Sequence, residues 1–194
     1  MKKISLFLLL FLLSACAGFR KGEILIEYPK EKTKEKYSLS VSLESKCSLN
    51  DFDKPCEDFF PDVIGALHTS GLYKDIRMYP QEADYIVELK YHQIGEGSLI
   101  MAVLCGLTYY LIPSWGTDEI YIEATIIDNK NKSNKAKFIL NDGITTVQQV
   151  LLLPVLPFKP PFKMLNDLKE EVLLALPIKI YNQILEMEKN SEQN

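Results

Sequence analysis

The sequence predicts an α+β domain in which a small, mostly antiparallel sheet carries two helices packed on one face. Three observations lead there. Four segments alternate apolar and polar residues with period two, the pattern of a half-buried strand. Two other segments repeat apolar residues at helical spacing. The order strand, helix, short strand, strand, hairpin, helix lets the helices cover one side of the strands. At 194 residues the chain is long enough for one domain with a sizeable core.

Tyr37 to Glu44 opens the domain as a strand, with Tyr37, Leu39, Val41 and Leu43 on one side and Ser38, Ser40, Ser42 and Glu44 on the other. A helix follows at about Asp58 to Ser70. Val63, Ile64 and Leu67 fall on one face, Pro61 suits the first turn, and Gly71 is placed for a left-handed cap. Ile76 to Tyr79 is a short strand before the Pro80-Gln81-Glu82 turn. Ala83 to Tyr91 aligns Tyr85, Val87, Leu89 and Tyr91. Glu119 to Asp128 aligns Ile120, Ile122, Ala124 and Ile126, and Lys135 to Leu140 aligns Ala136, Phe138 and Leu140. The polar run Asp128 to Asn134 joins these two as an antiparallel hairpin. From about Phe162 to Glu188, Leu165, Leu168, Val172, Leu176, Ile180 and Ile184 track a helical face. Pro177 lies inside that run, which predicts a kink or two abutting helices. The expected domain is 37–189, with 190–194 a frayed tail.

Two apolar connecting segments exceed what such a domain needs. Leu99 to Trp115 holds no charge, and Val150 to Phe158 is apolar with prolines at 154 and 157. Both are expected to leave the same end of the sheet. A spanning helix needs about 20 apolar residues, so neither is read as one. Three readings stand: connections buried by the chain's own helices; an apolar surface that closes against a partner or a second copy; or a shallow membrane-contacting tip. Leu104, Tyr109, Tyr110, Trp115 and Leu152 are the residues expected to make a membrane or partner contact, the aromatics at headgroup depth.

The amino terminus carries the most specific motif. Met1-Lys2-Lys3 is a positive n-region, Ile4 to Leu13 an apolar h-region, and Leu13-Ser14-Ala15-Cys16 ends it with small residues and a cysteine. This run matches the bacterial lipobox. The match implies a signal peptide over 1–15 removed before Cys16. It also implies a thioether-linked diacylglycerol on Cys16, with an N-acyl chain such as palmitate. Residues 16–36, with the Lys/Glu run 30–36, are then expected to form a lipidated tether. Ala17 is not the Asp that holds many lipoproteins at the inner membrane. By that sorting rule the outer membrane's periplasmic face is expected, or the outer face of a single-membrane cell.

Export places the remaining cysteines in an oxidising compartment. Cys47 and Cys56 are expected to form a disulfide rather than two free thiols. Cys105, among Val103, Leu104 and Leu107, reads as an inert buried thiol. The net charge of −4, with no basic patch, argues against nucleic acid as a partner.

No catalytic or metal constellation emerges. His68 and His92 are isolated and read as surface or structural residues. No Gly-x-Ser-x-Gly elbow, phosphate loop, or closely spaced His or Cys pair is present. Gly95-Glu96-Gly97 is a lone turn. Asp51, Asp53, Glu57 and Asp58 lack calcium-loop spacing and read as a solvated acidic turn. No cofactor is expected beyond the covalent lipid at Cys16.

The helix ending in Gly71-Leu72-Tyr73, the short strand, and Ala83-Asp84-Tyr85 opening a long strand resemble the small α/β domain of envelope lipoproteins and periplasmic assembly proteins. These include the amino-terminal domain of TolB, LptE and CsgG. Ile112-Pro113-Ser114-Trp115-Gly116 before a strand is similar to a group of bacterial lipoproteins. The resemblance covers about half of the mature chain. It implies a non-enzymatic envelope component that assembles with an envelope protein or with itself. A module binding lipid or a small hydrophobe is the alternative, with the apolar segments as a pocket mouth.

Overall fold

A computed structural model describes residues 16–22, 24, 37–50, 52–54, 56, 59–78, 82–149, 152 and 161–192. Among them are seven strands: β1 (Cys16–Arg20), β2 (Tyr37–Leu49), β3 (Phe52–Lys54), β4 (Tyr73–Met78), β5 (Tyr85–Gly97), β6 (Ser114–Asp128) and β7 (Lys135–Gln148). Three helices accompany them: α1 (Phe60–Ser70), α2 (Leu99–Leu107) and α3 (Pro161–Glu192). The class is the α+β fold expected, on a larger sheet.

The strands form one sheet in the order β1-β7-β6-β5-β2, and β3 and β4 share the far edge of β2. β2 runs parallel to β4 and β5, and the other pairs are antiparallel. The alternation read from sequence is the alternation of the sheet. Leu39 and Val41, Tyr85 to Tyr91, Ile120 to Ile126 and Leu140 turn their apolar sets inward. Val63 and Leu67 of α1 and Leu168, Val172, Leu176, Ile180 and Ile184 of α3 complete the core. Both long helices cover that face. The opposite face carries charged rows such as Glu44, Lys90 and Glu123, paired across three strands.

Local signals explain the element ends. Gly71 closes α1 at φ 63°, with its N–H donating to the His68 carbonyl, a backbone region that favours glycine. Phe59 stacks on Tyr91 at 4.5 Å, seating the start of α1 on β5. Cys47 and Cys56 are disulfide-bonded, with Cα atoms 5.3 Å apart. Reducing this bond should lower stability by about 2–3 kcal/mol through the freed loop. Thermal unfolding with and without reductant measures it.

Four sequence expectations change. The tether does not begin at residue 16, because Cys16–Arg20 is an edge strand paired with β7. Arg20 clamps it: Nε lies 2.7 Å from Asp142 Oδ2, and Nη1 lies 2.7 Å from Glu171 Oε2 on α3. The Lys/Glu run 30–36 lies outside the described residues. The last helix passes through Pro177 unbroken rather than as two helices. Pro177 removes one helical N–H, while its own carbonyl accepts the buried Tyr73 hydroxyl at 2.5 Å. Burial pushes the Tyr73 phenol well above its ordinary 10.0, which keeps it a donor. The tail also continues α3 to Glu192. Ser191 there donates to the Met187 carbonyl and accepts from the Asn134 amide at 3.1 Å. Lastly, β5, β6 and β7 run past their apolar cores to Gly97, from Ser114 and to Gln148.

Candidate functional site

Those extensions gather every expected contact residue at one end of the sheet. β5 leaves the sheet at Gly97 and β6 enters at Ser114, with α2 between them. Ser114 is paired with Gln148, the last residue of β7, and Gln148 is paired with Cys16, the first residue of β1. Neighbouring strands are about 4.8 Å apart, so the Cys16 backbone lies about 10 Å from the foot of the α2 segment. On the other side, β2 ends at Leu49 opposite Gly95. Asn50 fastens that turn: its N–H donates to the Gly95 carbonyl and its side chain accepts from Gly97 N–H, both at 2.8 Å.

The α2 segment is not a buried connection. Leu99 is 77% exposed, Leu107 72% and Trp115 54%. Ile100, Val103, Leu104, Tyr109 and Leu111 are exposed as well, while Tyr110 is half-buried. Within α2 only Cys105 is buried. It is a free thiol, as expected, and its Sγ lies 3.6 Å from the Gln148 carbonyl oxygen, holding α2 against the end of β7. Leu49 and Phe52, whose role sequence reasoning missed, extend the exposed apolar surface along the same end. From the second apolar segment, Leu152 is half-buried and its N–H donates to the Gln149 carbonyl. Residues 150–151 and 153–158 lie outside the described residues.

Local hydrogen bonds tie the backbone at both ends of α2. The Ser98 side chain caps α2 by accepting from Met101 N–H. Thr108 Oγ1 donates to the Leu104 carbonyl at 2.8 Å, and Thr108 N–H reaches the same oxygen. Tyr110 N–H donates to the Cys105 carbonyl at 2.7 Å. That bond holds a turn in which Tyr109 (φ 52°) and Tyr110 (φ 62°) are both left-handed. For residues with a Cβ this conformation costs on the order of 1–2 kcal/mol each. An open cleft of about 280 Å³ runs beneath α2, between Leu99, Ala102, Trp115 and Gln148.

The opposite end of the sheet differs in chemistry. A depression of about 440 Å³ is lined by Tyr37, Asp84, Asp128, Lys130, Asn134 and Glu188. Asp84 accepts from the backbone N–H and the hydroxyl of Ser38 at 2.9 and 2.7 Å. These bonds hold its carboxyl below the ordinary aspartate value. His68 is exposed on α1, and His92 lies on the open sheet face opposite Tyr121. Among the described residues no three His, Cys, Asp or Glu side chains converge as metal ligands, and no helix is long and apolar enough to cross a membrane.

No family model matches the chain, and no curated protein matches it. Among solved structures, a DUF330-family protein from Xanthomonas campestris aligns at 11% identity and a TM-score of 0.42. That alignment covers 89% of this chain and 97% of the other. A PelC variant from Paraburkholderia phytofirmans, solved as a dodecamer, aligns at 11% identity and a TM-score of 0.25, over 68% of this chain and 78% of the other.

Proposed function

We propose that this chain is a lipid-anchored, non-enzymatic lipoprotein of the cell envelope that acts as an assembly or interaction component. The outer membrane's periplasmic face is its place. The observation that carries the reading is the position of Cys16. The residue that the lipobox match marks for acylation opens β1 at the end of the sheet where α2 exposes its apolar side chains. Acyl chains leaving that position and the apolar end of the domain then meet one bilayer together. Each buried methylene of an acyl chain contributes about 0.8 kcal/mol, so two or three chains make a durable anchor. The disulfide is in keeping with an exported domain.

Intact-mass analysis of the protein from its own cells tests the anchor. The expected product begins at Cys16 and carries diacylglycerol and an N-acyl chain. Cys16→Ala should retain the leader and incorporate no labelled palmitate. A mature chain released without lipid overturns the reading. Crosslinking in intact cells tests the assembly role, which predicts a reproducible envelope protein or a second copy.

The cleft under α2 favours a second reading, a module that holds a small hydrophobe. In that case lipid extracted from the purified protein should be stoichiometric and should be lost on replacing Ala102 with a bulky residue.

A further inference from the structure

Resting on that lipid-anchored reading, we infer that the α2 end of the sheet is itself a membrane-contact device. α2 and its following turn lie in the headgroup region of the bilayer that holds Cys16. The occupant of this surface is lipid rather than protein, for four reasons. From Gly97 to Thr117 the chain carries no ionisable acid or base other than the buried Cys105 thiol and tyrosine phenols. The nearest acids on these strands, Glu96 and Asp118, sit at the base of the segment, so its protruding part is without charge. The nine residues of α2 span only about 13 Å, so the segment lies in the interface and does not cross it. Tyr109 and Trp115, both exposed, flank the aliphatic residues where aromatic side chains favour the water–hydrocarbon boundary.

The fourth reason is the backbone. A polar group left unpaired in hydrocarbon is costly, so a segment that enters lipid must close its own hydrogen bonds. The Ser98 cap, the double acceptance by the Leu104 carbonyl and the Tyr110-to-Cys105 bond reduce the number of open groups at both ends of α2. The pair of left-handed tyrosines keeps that turn compact and places Tyr109 outward. β1 adds the geometry: with Cys16 fixed in the sheet, the acyl chains and α2 enter the bilayer side by side.

The chain reports on this contact by itself, because Trp115 is its one tryptophan. The protein is purified as the cell makes it, and its mass at Cys16 is recorded. It is then reconstituted into phosphatidylethanolamine–phosphatidylglycerol vesicles, with and without lipids brominated high on the acyl chain. The expected result is at least a twofold quenching of Trp115 by the brominated lipid, with blue-shifted emission. Leu99→Asp/Ile100→Asp should abolish the quenching while the acylated protein still floats with the vesicles and melts as before. Both side chains are exposed, and acids suit a helix amino terminus.

Acylated protein whose Trp115 stays as open to acrylamide on vesicles as in solution overturns the inference and leaves the anchor standing. Quenching of a chain that carries no acyl group upholds the tip and removes the anchor. Shielding of Trp115 that follows protein concentration and not lipid overturns the inference in favour of a second copy.

Discussion

Replacing Asp142 with Ala should lower the unfolding free energy by about 2–4 kcal/mol and release β1 from the sheet. The Asp142 side chain is fully buried. It accepts Arg20 Nε at 2.7 Å, Gly22 N–H at 3.0 Å and its neighbour Gly143 N–H. Removing it leaves those donors in a low-dielectric site without their acceptor. The loss falls short of the full penalty for a broken buried pair, because Arg20 is a quarter exposed and keeps Glu171 at 2.7 Å. Denaturant unfolding measures the free energy, and amide hydrogen exchange locates it. Ala17 to Arg20 should lose protection while β5 and β6 keep theirs. Unchanged protection of β1 would show that edge pairing alone holds it. On the lipid-anchored reading proposed above, the substitution also turns a fixed attachment point into a slack one, so Trp115 quenching on vesicles should weaken even with the lipid in place.

A second large effect belongs to α3. Leu176→Ala should cost about 3–4 kcal/mol, since its side chain is fully buried against the sheet and the lost volume leaves a cavity. For a domain of this size that corresponds to a drop of roughly 10 °C in Tm. Leu174→Ala, two residues away on the outer face and 59% exposed, should change stability by no more than about 0.5 kcal/mol. The pair separates packing from helix propensity, because Leu and Ala are both strong helix formers. Equal effects from the two substitutions would mean that α3 is not seated as described.

Much of this fold was legible because its core obeys simple periods. Tyr85 to Tyr91 and Ile120 to Ile126 alternate without a break, and each apolar set is buried. Leu168, Val172, Leu176, Ile180 and Ile184 recur every four residues and form the inner face of α3. Gly71 ended its helix as a glycine there should. What escaped notice lies where hydrogen bonding to a neighbour, and not burial, makes the strand. Cys16–Arg20 is five residues without alternation, and it is a strand because β7 extends far enough to pair with it. Gly116 to Asp118 precede the strand expected from Glu119, and Gly143 to Thr146 follow the one expected to end at Leu140, yet both stretches continue the β6–β7 ladder. The Arg20–Asp142–Glu171 cluster joins Arg20 to two acids more than a hundred positions away, which no local pattern encodes.

At the functional end, chemistry was legible and shape was not. The uncharged run 99–115 stood out at once, while the helix inside it, capped by Ser98, was not anticipated. Whether its leucines face inward or outward depends on what else covers them. Only the three-dimensional arrangement shows that Leu99 and Leu107 remain uncovered among the described residues.

The edge strand at the amino terminus sets a ruler. β6 runs fifteen residues from the α2 end of the sheet to the far end, about 50 Å at 3.3 Å per residue. On the lipid-anchored reading proposed above, a domain standing on Cys16 through β1 has a fixed height and little freedom to swing. On that same reading, anything that engages the polar hollow around Asp84, Asp128 and Lys130 would do so at roughly that elevation above the bilayer. A partner confined to the headgroups would never meet it.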